Sequence, residues 1–306
     1  MYNGIVNVYK ERGFTSHDVV AKLRGILKQK KIGHTGTLDP DAVGVLPVCL
    51  GSGTKLCDMI TDRDKTYEAV MLLGKETDTQ DISGTVLYEC SVEQMREMVT
   101  DEKISSVIQS FVGEYDQLPP MYSAIKINGK KLYEFAREGK EVERKTRRVQ
   151  IHSIEILNMD FPRVTFRVEC SKGTYIRTLC HDIGQKLGVY ACMENLTRTK
   201  AGPFSLEHAL TLSEIEQKVK EDTFAGTVIP VDQMFQEYPA LQVPGKYEKI
   251  LRNGNPLAVH MMEGQERKPL KNGDMVRVYD SQGAFAGIYI LDDKKGIFRV
   301  YKMFQG

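Results

Sequence analysis

The chain lacks several features that would assign it at once to a special class of protein. It contains no run of eighteen apolar residues, so a membrane-spanning helix is not expected. Its first residues lack the charged and apolar regions of a signal peptide. Its six cysteines form no Cys-x-x-Cys pair, which disfavours a zinc site and favours reduced thiols in the core. We therefore expect a cytoplasmic protein with no membrane contact and no bound metal.

The chain also lacks a strong net charge, so any affinity for nucleic acid must come from local clusters. The formal net charge is only +1. Residues 126–148, however, contain nine Lys or Arg and only four Glu, and Tyr133 lies among them. Most charge runs are solvated surfaces, but this one is strongly one-sided and is typical of phosphate binding.

Length and a change in composition together predict two domains. With 306 residues, of which 41% are hydrophobic, the chain can bury a full core. Up to residue 238, strand and helix patterns mix without regular βαβ alternation, which favours an α+β domain with an antiparallel or mixed sheet. Residues 239–306 combine repeated glycines, Asn-Gly turn signals and short strand patterns. We therefore predict an α+β domain over 1–238 and a small all-β barrel over 239–306.

Several local patterns predict individual elements of the first domain. Ser16 is the expected N-cap of the first helix. Residues 66–73 have strand composition, and residues 85–88 are expected to pair with them. A capping box that starts at Ser91 predicts a helix whose apolar pattern continues to Phe111.

Residues 33–47 form the most unusual segment of the chain. Three glycines, two prolines and two aspartates interrupt it, which prevents a plain helix or strand. We interpret it as a shaped loop that holds the carboxylate of Asp39 at a fixed place, close to the basic run 28–31. An ordinary Asp-Pro turn is the alternative. A calcium loop is excluded because Val43 and Leu50 stand where oxygen ligands are required.

A second unusual segment supplies a candidate partner for this carboxylate. Residues 164–170 alternate between apolar and polar side chains, as in a half-buried strand. Gly173 then turns the chain into a helix that carries Arg177 near its start. A guanidinium in that place can reach a carboxylate on a loop and keep it ionised through a charge-assisted pair.

Taken together, these segments resemble the bacterial tRNA pseudouridine synthase B (TruB) family. The resemblance extends over nearly the whole chain, and the motifs occur in the family's order. The tail is similar to a PUA RNA-binding domain. One departure is Glu11, which stands where the first motif of the family has proline. The matching segments are residues 10–20, 33–48, 65–67, 117–126, 129–133, 172–177, 196–199 and 202–204.

The resemblance implies both a fold and an activity. The fold would be an α+β pseudouridine synthase domain, with a mixed, mainly antiparallel sheet flanked by helices, followed by a small C-terminal PUA-like barrel. The activity would be isomerisation of uridine 55 in the T loop of tRNA to pseudouridine, after the base is flipped into a pocket. No cofactor is implied. A non-catalytic RNA-binding protein or a tRNA-folding chaperone is the alternative function, and a glycosidase is disfavoured because it needs a second, separated carboxylate.

The resemblance also assigns roles to single residues. Asp39 matches the essential carboxylate; whether it attacks the sugar, attacks the base or removes a ribose proton stays open. Arg177 would keep it ionised, Tyr67 would stack on the target base, and His34 would occupy the space that the base leaves. The apolar positions that exclude water from the pocket are matched by Ile176 and Leu196.

The implied partner is tRNA, bound through its T-arm. Nothing in the sequence indicates an obligate protein partner, so we expect a monomer. The candidate RNA contacts are basic residues of the motifs and of the charged cluster, namely Lys10, Lys30, Lys31, Lys126, Lys130, Lys131, Arg137, Arg144, Arg147, Arg148 and Arg198.

Overall fold

The computed structural model describes residues 1–264 and 269–305. Helices and strands follow one another irregularly along the chain, as the sequence predicts. The helices are α1 (Ser16–Leu27), α2 (Cys57–Thr61), α3 (Val92–Met98), α4 (Asp101–Gln109), α5 (Leu132–Arg137), α6 (Ile176–Leu187), α7 (Leu212–Lys220) and α8 (Glu248–Arg252). The strands are β1 (Gly4–Lys10), β2 (Ile32–His34), β3 (Val43–Leu50), β4 (Lys65–Leu73), β5 (Lys75–Thr77), β6 (Val86–Glu89), β7 (Gly113–Gln117), β8 (Lys126–Ile127), β9 (Lys130–Lys131), β10 (Arg147–Asp160), β11 (Arg163–Cys170), β12 (Ala191–Ala201), β13 (Phe204–Ser205), β14 (Ala240–Gln242), β15 (Leu257–Ala258), β16 (Met275–Tyr279), β17 (Phe285–Asp292) and β18 (Ile297–Met303).

The first part of the chain is built on one large mixed sheet. Its strand order is β1-β3-β12-β4-β11-β10-β7, with β2 added to β3 and β13 added to β12. Within this sheet, the described pairs are antiparallel except for β3 and β12, which run parallel. The predicted mixed, mainly antiparallel sheet is therefore confirmed.

The main core lies between this sheet and α6. The alternation predicted for residues 164–170 is confirmed, since Val164, Phe166 and Val168 of β11 are fully buried against it. Leu179 and Ile183 bring the apolar side of α6 to the same core. Burying a side chain of this size stabilises the fold by roughly 1.5–3 kcal/mol. On the other side of the fold, α1 and α7 pack against β1 and β3.

Three predictions of local structure are corrected. Thr15 is the N-cap of α1, because its hydroxyl accepts from the Asp18 N–H, and Ser16 is already helical. The capping box at Ser91 is present, but the predicted helix is interrupted after α3, and Thr100 caps a new helix, α4.

The third correction concerns the pairing of β6. Gly74 turns the chain out of the large sheet at a positive φ of 85°. For that reason β6 pairs with β5 and leaves β4 free to pair with β11 and β12.

A second sheet follows, with the strand order β14-β16-β17-β18-β15. It is a curled five-stranded half-barrel, consistent with the expected PUA-like domain. An aromatic cluster of Phe235, Phe285 and Phe304, with ring centroids 5.5–6.3 Å apart, joins it to the first sheet. The domain boundary at residue 238 stays a prediction. No helix in the described ranges is long and apolar enough to cross a membrane.

Candidate active site

The loop that carries Asp39 spans residues 35–42 and connects β2 to β3, so the ends of the segment predicted as loop are strands. Its backbone is held from two sides. The Lys10 ammonium donates to the carbonyls of Pro40 at 3.0 Å and Ala42 at 2.6 Å. The Leu38 N–H donates to the Ser16 hydroxyl at 2.9 Å. These bonds fix the peptide units on both sides of Asp39 and therefore the position of its carboxylate.

Arg177 meets this carboxylate through two nitrogen atoms. Its Nε lies 2.9 Å from Asp39 Oδ2, and one terminal nitrogen donates to Asp39 Oδ1 at 3.3 Å. The Arg177 side chain is only 5% exposed, whereas that of Asp39 is 40% exposed. The ion pair expected from the sequence is therefore present, with the cation buried and the anion open to a ligand.

Two further segments also hold the guanidinium in place. It donates to the carbonyl of Thr79 at 3.1 Å and to that of Tyr122 at 2.9 Å. A second carboxylate, Asp81, lies 3.8 Å away. Asp81 is itself fixed, because its Oδ1 accepts hydrogen bonds from the side chains of Thr79 and Ser83. Arg177 thus connects α6, the Asp39 loop, the turn after β5 and the segment after β7.

A cavity of about 650 Å³ opens beside the ion pair. Leu38, Ile176 and Leu196 give it apolar walls, and all three are less than 9% exposed. Tyr67 of β4 also lines it; burial raises the pKa of this phenol, so it stays protonated at neutral pH. The volume and the mixture of apolar walls with one convergent charged pair are typical of a site for a small organic group.

A second cavity of about 400 Å³ shares this ion pair with the first. Its lining includes Asp39, Arg177 and Leu196, together with Asp81 and Arg137. The carboxylate of Asp39 therefore lies on the boundary between two open spaces, which suits a residue that must reach a ligand larger than a single ring.

The segment between β7 and β10, residues 118–146, covers one side of the site and is called the flap below. It contributes Tyr122, Ser123 and Tyr133 to the cavity wall. Arg147 and Arg148, where the chain returns to the sheet, line the same cavity. The predicted RNA contacts that are exposed or half-buried in this structure are Lys30, Lys31, Lys126, Lys130, Lys131, Arg137, Arg144, Arg147 and Arg148.

Lys10 and Arg198 require a correction, because both are buried and present no surface to a phosphate. Lys10 is 0% exposed and Arg198 is 1% exposed. Arg198 donates to the carbonyls of Val45 at 2.7 Å and Gly36 at 3.3 Å. Both cations hold the backbone at the two ends of the Asp39 loop instead. Both residues lie in motifs of the family, and the sequence alone does not show whether a basic residue there supports the loop or contacts RNA.

His34 lies at the end of β2, apart from the described lining of either cavity. Its ring makes an edge-to-face contact with His17, with centroids 5.1 Å apart. Burial lowers its pKa, and His17 and Arg198 add to this effect, so the imidazole is neutral at pH 7. Its Nδ1 is buried without a hydrogen-bond partner among the described residues. The role assigned to His34 stays a proposal.

Three residues of the site, Thr79, Asp81 and Tyr122, are not among those predicted from the sequence. Two of the contacts of Arg177 are to backbone carbonyls, which carry no side-chain pattern. Asp81 lies in a polar turn, Asp78-Thr79-Gln80-Asp81, that reads as an ordinary loop. No metal-binding group of three or more His, Cys, Asp or Glu side chains occurs within the described residues.

Burial of Lys10 leads to a testable prediction about stability. Burial lowers its pKa from 10.5 to about 8, against the opposing attraction of Asp39 and Asp41. Below about pH 8, the lysine is protonated in both the folded and the unfolded state. Between about pH 8 and 10.5, only the unfolded state keeps the proton, so raising the pH favours folding.

We therefore compare the free energies of unfolding of the wild type and a Lys10→Met variant by denaturant titration. The wild-type value minus the variant value should rise by at most about 3 kcal/mol across this range. A difference that is flat or falls with pH would show that the lysine is not desolvated as described.

The comparisons with known proteins agree with this geometry. A model of the TruB family pseudouridylate synthase N-terminal domain matches residues 24–176, and one of the tRNA pseudouridylate synthase B C-terminal domain matches residues 177–236. A relative named tRNA pseudouridine synthase B, from Lachnoclostridium phytofermentans, is 52% identical over 99% of both chains. A relative of the same name from Clostridium tetani is 44% identical over 94% of both chains.

Solved structures show the same fold. A chain in the structure of an H/ACA RNP bound to a substrate RNA containing 2′-deoxyuridine matches with a TM-score of 0.71 and 28% identity. The match covers 99% of this chain and 85% of that one. A chain in the Cbf5-Nop10-Gar1 complex gives a TM-score of 0.71 at 29% identity, with the same coverage.

The fold and the site, with these relatives, define a pseudouridine synthase, an enzyme of the isomerase class. Within that class, the chain belongs to the TruB family. The N-terminal family model ends at Ile176 and the C-terminal model begins at Arg177. Asp39 therefore lies in the region matched by the first model, and its partner Arg177 in the region matched by the second.

Proposed function

We propose that this protein converts uridine 55 in the T loop of tRNA to pseudouridine, with Asp39 as its essential carboxylate. The observation that carries the proposal is the pairing of Asp39 with the buried Arg177 at the wall of a cavity large enough for a nucleotide. The names of the relatives, tRNA pseudouridine synthase B, support tRNA as the substrate.

The reaction conserves atoms. The bond from C1′ to N1 breaks, the base turns, and a bond from C1′ to C5 forms; the proton on C5 is released and N1 takes one up. Asp39 acts through its carboxylate, and the buried guanidinium of Arg177 holds that carboxylate at the wall of a cavity with apolar side chains. A target base stacked on Tyr67 gains about 1–3 kcal/mol, which offsets part of the cost of extruding it from the RNA.

The rest of the chain binds the RNA in this proposal. The exposed arginines Arg137 and Arg147, which form no ion pair among the described residues, face the RNA backbone beside the two cavities. Residues 1–238 form the catalytic domain, and the PUA-like residues 239–306 add affinity for tRNA. The enzyme acts as a monomer in the cytoplasm.

The test is an isolated T-arm stem-loop with tritium at C5 of its uridines. The wild type should release one tritium per stem-loop, and a stem-loop with cytidine at position 55 should release none. Stem-loop binding without tritium release would contradict the proposal and favour a non-catalytic RNA-binding protein.

A further inference from the structure

Gln117 is the last residue of β7, and its buried side chain lies against the start of α6. The residue is 1% exposed. Its Nε2 donates to the carbonyl of Tyr175 at 3.0 Å, and its Oε1 accepts from the N–H of Tyr175 at 2.7 Å. A single amide thus satisfies both backbone polar groups of one residue, which leaves that residue little freedom to move.

Tyr175 is the N-cap residue of α6, and it makes no capping hydrogen bond with its own side chain. Gln117 fixes this helix start from outside. The next residue, Ile176, forms an apolar wall of the cavity, and the one after it is Arg177. The Gln117 amide therefore fixes the backbone two residues before Arg177, and this backbone sets the direction in which the Arg177 side chain projects from α6.

The same residue stands where the flap leaves the sheet. In the antiparallel register, Gln117 lies opposite Arg147, so the two ends of the flap meet at this pair. Five residues further on, the carbonyl of Tyr122 accepts from Arg177 at 2.9 Å. The flap is thus tied to the first turn of α6 at two points, and one of them is the guanidinium that binds Asp39.

We propose that Gln117 is a positioning residue for the reaction: its amide places the first turn of α6 so that Arg177 meets Asp39. The inference rests on the proposed function. A displacement of about 1 Å in a reacting group can cost on the order of a hundredfold in rate. The basic side chains expected to contact phosphates are other residues than Gln117, so RNA affinity should be kept.

The chain offers a matched control for a substitution of Gln117. Gln29 is 5% exposed and holds the backbone of Tyr2 in the same manner, with hydrogen bonds of 2.8 and 2.9 Å. It lines neither of the two cavities beside the ion pair. Methionine fills a similar length in both places and removes both hydrogen bonds to the partner backbone, together with a longer one of 3.3 Å from Gln29 to the carbonyl of Lys31. Gln117→Met and Gln29→Met should therefore lower the thermal midpoint alike and differ in turnover.

The measurements are the single-turnover rate at saturating enzyme and the dissociation constant of the T-arm stem-loop. Gln117→Met should lose about ten- to a hundredfold in rate and keep its dissociation constant within about twofold. Gln29→Met should keep both within about twofold. An unchanged rate for Gln117→Met, or an equal loss in Gln29→Met, would overturn the inference.

Gln117→Glu decides the matter if the methionine variant does not fold. An ionised glutamate still accepts from the Tyr175 N–H but cannot donate to its carbonyl, whereas the protonated acid does both. Burial raises the pKa of such a carboxyl. The rate of Gln117→Glu relative to the wild type should therefore rise as the pH falls from about 8 to about 6. A constant ratio would contradict the inference, whereas an inactive wild type would overturn the proposed function itself.

Discussion

Asp39→Asn should abolish the release of tritium from a T-arm stem-loop, with a single-turnover rate at least about a thousandfold below that of the wild type. Asparagine has the same shape and still accepts a hydrogen bond from Arg177, but it has no charge with which to attack or to remove a proton. The fold should persist, because Lys10 and Ser16 hold the loop backbone independently of this side chain. RNA affinity should therefore stay close to that of the wild type.

Asp41→Asn is the matched control for this substitution. Asp41 lies two residues further along the chain, is exposed, and makes no ion pair within the described residues. Its substitution changes the net charge by the same amount in the same loop, and its rate should stay within about threefold of the wild type. Equal tritium release by Asp39→Asn and the wild type would remove Asp39 from its catalytic role.

The sequence predicted the parts of this fold that repeat a local rule. The alternation of β11 between apolar and polar residues indicated its buried face. The link between Arg177 and Asp39 was also predictable, since a loop rich in glycine and proline holds the carboxylate in place and the start of a helix carries the guanidinium. Both features depend on a few consecutive residues.

The features that the sequence did not predict depend on contacts between segments that are distant in the chain, and residue composition does not indicate such contacts. Lys10 and Arg198 belong to the same basic class as the exposed Lys126, yet the fold places both of them under the Asp39 loop. A long aliphatic stem allows a cation to be buried or solvated, so residue type does not distinguish these outcomes. The break between α3 and α4 was missed because the apolar spacing continues across Thr100.

Arg177→Lys should reduce the single-turnover rate by about a hundredfold to a thousandfold, although it preserves the charge. The guanidinium spreads its contacts over three nitrogen atoms. Nε meets Asp39, one terminal nitrogen donates to both Asp39 and the carbonyl of Tyr122, and the other donates to the carbonyl of Thr79. An ammonium is a single point and cannot keep all three partners at hydrogen-bonding distance. A buried carbonyl left without its donor costs about 1–3 kcal/mol. Two such losses account for the roughly 3–4 kcal/mol to which the expected drop in rate corresponds, if they fall on the transition state.

Arg167→Lys is the control for Arg177→Lys. Arg167 lies on β11, on the exposed face of the large sheet. Arg167 also meets two carboxylates, Glu68 at 2.9 Å and Glu155 at 2.7 Å, but its side chain is 45% exposed. Water can replace the lost partners at this exposed position, so the single-turnover rate of Arg167→Lys should stay within about twofold of the wild-type rate. If Arg177→Lys lowered the rate as little as Arg167→Lys, a positive charge beside Asp39 would be sufficient for turnover. The contacts of the guanidinium with three segments would then have no part in the reaction. A large loss in Arg177→Lys with unchanged RNA affinity would instead show that the guanidinium acts by geometry, the same property on which the role of Gln117 depends.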